Sequence, residues 1–201
     1  MSLIFFLYSA TVDISSYSIK DVPGSSGRLD VITRCILAAL MDSNENCFDK
    51  GIQVWIFLKE YGTFILDSEL LSYETFPKNE LKLSDYFVDW IRSYNYKNGL
   101  EDNPLRSGKI IEKGIIKSIK EFLKLNYKIY ILHEQGENFF KYLDTIIRED
   151  KIVFIIGNQI GDIMKLEELK LLNIPRLSLG NRSYLASSVI RLIKLNLLSV
   201  I

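Results

Sequence analysis

Histidine, cysteine and proline are all scarce in this chain of 201 residues. It has one histidine, His133, two cysteines, Cys35 and Cys47, and four prolines. Two cysteines cannot build a disulfide framework, and they lack the clustered spacing of a zinc site, which favours a reducing compartment. One histidine argues against histidine-rich metal sites and against Ser-His-Asp triads. The sequence therefore predicts no metal and favours a chemistry that needs little acid–base machinery.

An excess of charge of either sign is also lacking, because 25 lysines and arginines balance 25 aspartates and glutamates. A net charge of zero argues against a general nucleic-acid coat but allows a local basic face. The first apolar run, Leu3 to Tyr8, is too short for a membrane span or a signal sequence and is typical of a buried strand. We expect a cytoplasmic, single-domain protein over residues 1–201, with no membrane contact.

Strand-like and helix-like segments alternate along much of the chain. The predicted strands are Leu3–Ala10, Gln53–Lys59, Thr63–Leu66, Lys128–Leu132, Ile152–Ile156 and Arg176–Leu179. The predicted helices are Leu29–Met41, Leu83–Ser93, Ile115–Leu125, Asn138–Ile147, Leu166–Leu172 and Tyr184–Leu198. This order predicts an α/β fold with a mostly parallel sheet and helices on both faces. Residues 67–107 are harder to interpret, and Asn95–Ser107 is predicted to be a loop.

Three of the later strands end in loops that contain glycine. The loops are Leu132–Gly136, Ile156–Gly161 and Leu179–Arg182. Open α/β sheets bind ligands outside the carboxyl ends of their strands, and glycine lets the backbone approach a ligand closely. The alternative is that these glycines only form turns. No loop is a GxGxxG or a P-loop motif, so neither a dinucleotide nor an ATP site has support.

Two groups of charged residues are candidates for binding. Arg28, Asp30 and Arg34 follow a Pro-Gly loop at a helix start, where they could hold a base edge or a phosphate. The alternative is a structural ion pair one helical turn apart. Lysines recur every three or four residues, which predicts a solvated face or a phosphate-binding stripe if the segment is helical. These lysines are Lys109, Lys113, Lys117, Lys120, Lys124 and Lys128.

Several segments in order resemble the archaeal-type tRNA pseudouridine-54 N1-methyltransferases (TrmY family) of the SPOUT superfamily. The most specific is Lys20–Arg34, KDVPGSSGRLDVITR. The others are YILHEQG at 130–136, FIIGNQIG at 154–161, SLG at 178–180 and YLASS at 184–188. The matches cover nearly the whole chain, although 67–107 matches poorly. The family has Asp-His where this chain has Asn158-Gln159, and His-Cys where it has Ser188-Val189.

This resemblance implies a C-terminal deep trefoil knot whose loops hold S-adenosylmethionine mainly through backbone groups. The positions carried over to this chain for the cofactor are Leu132, Gly157, Leu177, Ser178, Leu179, Gly180, Asn181, Arg182 and Val189. The resemblance also implies a homodimer, paired through a final helix with more apolar residues than one core-facing stripe needs. The implied partner is tRNA, with Arg34, Lys113 and Lys117 as candidate RNA contacts.

The implied reaction methylates N1 of a pseudouridine, a nitrogen that must lose a proton. No histidine base is expected near the site, so Asp30 is the candidate to receive or orient the proton and Arg28 to hold a carbonyl or phosphate. We expect Arg28, Asp30 and Arg34 to lie near the cofactor loops, either those of the same subunit or those of the other. Two alternatives remain: a methyltransferase of a ribosomal RNA pseudouridine, and a catalytically silent dimeric RNA-binding homologue.

Overall fold

The computed structural model describes residues 1–42, 46–96, 100–157, 163, 166–180 and 182–198, with the backbone alone for 94–96. Its strands are β1 Ser2–Ser9, β2 Ile52–Leu58, β3 Gly62–Asp67, β4 Lys109–Ile111, β5 Lys128–Asn138, β6 Lys151–Gly157 and β7 Arg176–Ser178. Its helices are α1 Val22–Ser25, α2 Leu29–Leu40, α3 Glu80–Tyr96, α4 Ile115–Lys124, α5 Phe139–Ile147, α6 Glu167–Lys170 and α7 Ala186–Leu198. No helix in these ranges is long and apolar enough to cross a membrane.

The strands form one sheet in the order β4-β3-β2-β1-β6-β5-β7. Five adjacent strands run parallel to one another, in the order β2, β1, β6, β5 and β7. Strand β3 runs antiparallel to both β2 and β4. The prediction of a mostly parallel α/β sheet is therefore confirmed. Because parallel strands end at the same edge, the carboxyl ends of β5, β6 and β7 lie side by side.

Helices cover both faces of the sheet, as predicted. Alternate residues of β1 point to opposite faces, with Leu3, Phe5 and Leu7 on one side and Ile4 and Phe6 on the other. The first face packs against α2, α3, α5 and α7, and the second against α4 and α6. The apolar residues on both faces are almost fully buried. Because helices cover both faces, the central strand β1 is apolar nearly throughout, as expected for a covered parallel sheet.

The segment before α2 differs from the expected loop. Residues Ile19–Asp21 form a 3-10 turn, and Val22–Ser25 form one helical turn with Pro23 in its first positions. The Asp21 carboxylate accepts a hydrogen bond from the Gly24 backbone N–H at 3.1 Å, which caps that turn. The Pro-Gly segment has a defined conformation, as predicted, but that conformation is helical. Asp21 caps the turn, and Pro23 fixes φ at a helical value.

The lysine stripe is the main error of the sequence interpretation in the middle of the chain. Lys109 lies in β4 and Lys128 in β5, while Lys113 lies in the loop before α4. Only Lys117, Lys120 and Lys124 belong to α4. Strand β4 was not predicted, because its three residues pair with β3 across more than 40 positions of sequence and carry no local strand signal of their own.

Candidate active site

The carboxyl ends of β5, β6 and β7 border one cavity of about 630 Å³. The start of α7 and the N-terminal end of α2 complete its wall. The residues that line it are Arg28, Val31, Ile131, Leu132, His133, Glu134, Gln135, Ile156, Gly157, Ile163, Leu177, Ser178, Leu179, Arg182, Ser183, Tyr184, Leu185, Ala186 and Val189. The cavity has the size of an ordinary small-ligand site, and both apolar and polar side chains line it.

A bulge in β5 shapes one side of the cavity. Leu132 and Glu137 both pair with Leu177 of β7, so residues 133–136 project out of the ladder between them. Gly136 makes this close approach feasible, because a Cβ there would lie 2.6 to 2.7 Å from the backbone of Arg176 and Leu177. The strand was predicted to end at Leu132; instead it continues beyond the glycine loop to Asn138.

Two hydrogen bonds fix the conformation of this bulge. The imidazole Nδ1 of His133 accepts the backbone N–H of Gln135 at 3.1 Å. The hydroxyl of Ser183, in the segment before α7, donates to the Glu134 carboxylate at 2.5 Å. The second bond joins segments about 50 residues apart in sequence, and it connects two walls of the cavity directly.

The other two strand ends present backbone to the cavity. A Cβ built on Gly157 would lie 3.2 Å from Cγ2 of Ile163, so a larger side chain would have to displace that residue or enter the cavity. The Ser178 hydroxyl donates to the Gly180 carbonyl at 2.9 Å and accepts the Gly180 N–H at 3.2 Å. Gly180 has a φ of +133°, a conformation that residues with side chains rarely adopt.

Arg28 enters the same cavity from the N-terminal end of α2. The backbone of Gly27 and of Arg28 has positive φ, and a Cβ on Gly27 would lie 1.7 Å from the Thr11 carbonyl oxygen. Glycine is therefore required at position 27, and the tight packing against Thr11 fixes where Arg28 begins. The Ser26 hydroxyl accepts the Leu29 N–H at 3.1 Å, which starts α2 immediately afterwards.

Asp30 holds the Arg28 side chain in place. Nε and Nη2 of Arg28 donate to the two Asp30 carboxylate oxygens at 3.0 and 3.2 Å, and Arg34 donates to the same carboxylate. Asp30 is only 4% exposed, whereas the Arg28 side chain remains 44% exposed on the cavity side of the pair. This bidentate contact uses Nε and Nη2, and Nη1 of Arg28 has no hydrogen bond to any residue that the structure describes.

The electrostatics of this pair favour an ionised carboxylate. Burial acts to raise the pKa of Asp30, but the hydrogen bonds and positive charges of Arg28 and Arg34 outweigh it and hold the pKa below the usual 3.8. The hydrogen bond to Asp30 in turn raises the pKa of Arg28. A carboxylate with a lowered pKa and little exposure is a weak proton acceptor, so this geometry fits a group that orients Arg28.

Comparison with known proteins assigns the chain to a family. Residues 1–200 match the profile of the family described as "Putative SAM-dependent RNA methyltransferase". The chain belongs to this family. It therefore uses S-adenosylmethionine to methylate RNA, which confirms the class of enzyme and the cofactor that the sequence motifs implied.

Curated relatives are similar over most of their length. The chain is 23% identical to a tRNA (pseudouridine(54)-N(1))-methyltransferase of Thermococcus onnurineus over 194 residues, covering 92% of this chain and 91% of the relative. It is 28% identical to an enzyme of the same description from Methanococcus aeolicus over 174 residues, covering 79% of each. The resemblance to the TrmY family is thus confirmed by full-length relatives.

A solved structure shares the fold. Nep1 of Archaeoglobus fulgidus, crystallised with S-adenosylhomocysteine, aligns over all of this chain and 99% of its own with a TM-score of 0.68 and 14% identity. At this identity the likeness establishes the fold alone. It extends over the two faces of the sheet and over the strand ends that border the cavity.

The cavity in this methyltransferase fits the cofactor by its backbone. S-adenosylmethionine, when bound, supplies an activated methyl group on a sulfonium. Gly157 leaves room that a Cβ would fill, and Leu177, Ser178 and Leu179 line the same cavity. Over the residues described here, no group of three histidine, cysteine or acidic side chains is arranged to hold a metal ion.

The predicted cofactor residues converge at this site with two exceptions. Leu132, Gly157, Leu177, Ser178, Leu179, Arg182 and Val189 all line the cavity. Gly180 forms the turn beside them without lining it, and Asn181 lies outside the described residues, as do Asn158 to Gly161. The prediction that three strand-end loops form one site therefore agrees with the geometry.

The predicted RNA contacts lie elsewhere. Arg34 bonds Asp30 and lies 3.3 Å from the Glu80 carboxylate, so it anchors α2 to α3. Lys113 pairs with Glu121, and with Lys117 it lines a second cavity of about 840 Å³ between the ends of β1 and β2 and the start of α4. Lys117 is the exposed member of these three residues, and no ion pair of it is found within the described part of the chain.

The expectation that no histidine lies near the site was wrong. His133 and Glu134 both line the cavity next to Leu132. Sequence reasoning placed the Leu132–Gly136 loop at a ligand site but assigned neither residue a role, because a strand that continues through a bulge carries no local signal for which residues project from it. The pairing of Leu177 with two positions of β5 reveals the bulge, and that pairing is long-range.

Proposed function

We propose that this enzyme methylates N1 of pseudouridine 54 in the T-loop of tRNA. The observation that carries the proposal is the convergence of three glycine-bearing strand ends and Arg28 on one cavity. The curated relatives named for this reaction, which align over most of their length, support the target nucleotide. The target base must leave the stack of the T-loop to reach a cavity enclosed on several sides.

In this proposal Arg28 contacts the substrate and Asp30 positions Arg28. Nη1 of Arg28 donates to a uracil carbonyl or an adjacent phosphate, and it stabilises negative charge that develops on the ring as N1 accepts the methyl group and releases its proton to solvent water. Asp30 keeps the guanidinium in one orientation through two parallel hydrogen bonds. Its lowered pKa makes it the weaker choice as the proton acceptor, since a weak base gains little from the transfer.

The cofactor residues of the proposal are those that the resemblance implies, most of which line the cavity. Backbone groups at Gly157 and at 177–180 hold the cofactor, with Leu132 and Val189 as apolar neighbours and Asn181 and Arg182 as the remaining contacts. We also propose that this C-terminal part forms the trefoil knot of SPOUT enzymes. The order β6-β5-β7 and the whole-chain fold likeness to Nep1 support it.

We further propose a cytoplasmic homodimer that pairs through α7. Ile190, Ile193 and Leu197 face the core, yet Leu185 and Leu195 on the same helix region remain 63% and 64% exposed. Apolar residues exposed on a helix that already buries one face are typical of an interface. Val200 and Ile201, two further apolar residues that follow α7, lie outside the described residues. Lys117 and, less strongly, the paired Lys113 and Arg34 are the proposed contacts for RNA phosphates.

The decisive experiment is nucleoside mass spectrometry on tRNA and ribosomal RNA from a strain that lacks the gene. Loss of N1-methylpseudouridine from tRNA, restored by the wild-type enzyme, is the expected result. Loss from ribosomal RNA alone would move the target to a ribosomal pseudouridine. No change in either RNA, with cofactor binding also absent, would indicate a silent RNA-binding homologue.

A further inference from the structure

His133 presents one ring nitrogen to the protein and leaves the other for a ligand. It is half-buried in the bulge of β5, where its Nδ1 accepts the Gln135 N–H at 3.1 Å. A nitrogen that accepts this bond carries no hydrogen, so in the neutral ring the hydrogen is on Nε2. No hydrogen bond of Nε2 to any described residue is present, although the residue borders the cavity.

The surroundings of His133 belong to the cofactor part of the cavity. Leu132 precedes it, and Leu177 pairs with both Leu132 and Glu137 on either side of the bulge. Arg28, the proposed substrate contact, comes from α2 and not from these strands. The bond between Ser183 and Glu134 keeps the bulge in place, so the imidazole is held by neighbours on both sides.

We propose that Nε2–H of His133 donates a hydrogen bond to an acceptor on the bound cofactor. This inference rests on the proposed cofactor site and adds a side-chain contact to a site otherwise built from backbone groups. S-adenosylmethionine offers its carboxylate, its ribose hydroxyls and its adenine nitrogens as acceptors. The Nδ1 bond fixes the tautomer, as a hydrogen bond to the second nitrogen does for other histidine ligands.

Two isosteric variants separate the two nitrogens. In H133N the side-chain oxygen can take the place of Nδ1, but nothing replaces Nε2–H. In H133Q the amide N–H₂ can reach the position of Nε2, but the Nδ1 acceptor is lost. Calorimetric titration of each full-length variant with S-adenosylhomocysteine, alongside thermal melting without ligand, measures binding and local structure independently.

We expect H133N to weaken S-adenosylhomocysteine binding by about three- to tenfold, the scale of one hydrogen bond, and H133Q to remain within about twofold of wild type. Melting should show the opposite order, with H133Q the less stable variant. Titration with 5′-methylthioadenosine, which lacks the amino-acid part, distinguishes the acceptors. A penalty that persists with this nucleoside places the bond on the ribose or adenine, and one that disappears places it on the carboxylate.

The contrary outcomes are equally specific. Wild-type affinity in H133N together with weakened binding in H133Q would mean that His133 acts only by holding the bulge, and it would overturn the inference. Equal affinity in all three proteins would do the same. A wild-type enzyme that binds no S-adenosylhomocysteine would refute the proposed cofactor site itself, which separates that failure from the failure of the histidine contact.

Discussion

Replacing Asp30 by Asn tests whether its charge positions Arg28. The substitution keeps the size of the side chain and removes the negative charge between two guanidiniums. Removing one member of a buried ion pair costs about 3–5 kcal/mol, but Arg28 and Arg34 keep 44% and 33% of their side-chain surface in water. We therefore expect a loss of about 2 kcal/mol, or about 4–8 °C in Tm for a chain of this length.

The catalytic effect should exceed the effect on folding. A misplaced substrate contact costs about 10²-fold in rate, so we expect kcat of D30N to fall by about that factor per folded molecule. S-adenosylhomocysteine affinity should stay nearly normal, because Asp30 does not line the cavity. The assay combines single-turnover methyl transfer to a tRNA transcript that carries pseudouridine with calorimetric binding of the cofactor product.

The matched control is Glu80→Gln. Its carboxylate lies 3.3 Å from Arg34 and is not bonded to Arg28, so E80Q perturbs the same network without releasing Arg28. We expect a small change in Tm and an unchanged rate. If D30N, at equal folded fraction, turned over as fast as wild type, Asp30 would be only a helix-start residue and the assignment would be refuted.

The pH dependence of stability offers an independent check on Asp30. Its pKa is lowered in the folded protein, so its contribution is fully present above the unfolded value of about 3.9 and is lost as pH falls through the folded value. The difference in Tm between wild type and D30N should therefore be constant from pH 7 to about 5 and shrink below about pH 4. A difference that grew with acid would contradict this sign.

Three further predictions concern the cavity, the last helix and the dimer. Gly157→Val should abolish detectable S-adenosylhomocysteine binding in calorimetry while the fold persists by circular dichroism, because its side chain must displace Ile163 or fill the cavity; binding at wild-type strength would put the cofactor elsewhere. Lys194→Met should lower the free energy of unfolding by about 3 kcal/mol in urea titration, since it strands the half-buried Asp49 carboxylate 2.5 Å away; K194M/D49L should recover most of the loss, and additive losses would show that the pair is not coupled. Leu195→Glu should convert a dimer to a monomer in sedimentation at micromolar concentration, whereas Leu171→Glu, at a site 80% exposed outside α7, should not; a wild-type monomer would remove the dimer from the proposal.

Much of the second half of the fold could be predicted from local pattern. Helices and strands from Lys128 onward alternate with clear periods, and the parallel arrangement follows from that alternation. Once the strands are parallel and adjacent, their carboxyl ends must meet, which is why three separate glycine loops indicated one site. The position of the cavity was therefore accessible to sequence reasoning, because the meeting of the strand ends depends on topology more than on side-chain detail.

The remaining features depend on contacts that no local pattern encodes. The three residues of β4 become a strand only because β3 is there to pair with them. The bulge that contains His133 forms because Gly136, which has no Cβ, allows the backbone of β7 to pack closely against it. Arg28 was expected near the predicted cofactor loops of the same or of another subunit. It borders the cavity of its own chain. The positive φ of Gly27 and Arg28 directs the Arg28 side chain to the cavity. The Thr11 backbone packs so closely against Gly27 that only glycine fits at that turn.

The contact of Lys194 with α2 links α7 to Arg28, the proposed substrate contact, through one continuous helix. Nζ of Lys194 donates to the carbonyls of Ala38 and Met41 at 3.0 and 2.7 Å, at the C-terminal end of α2. Arg28 stands at the other end of the same helix, about 18 Å away for 12 residues. Loosening the last helix would thus let α2 tilt, and a tilt at one end displaces the guanidinium at the other. Slow hydrogen exchange across α2 would then depend on whether α7 is docked, so a truncation at the C-terminus should impair catalysis before it unfolds the enzyme.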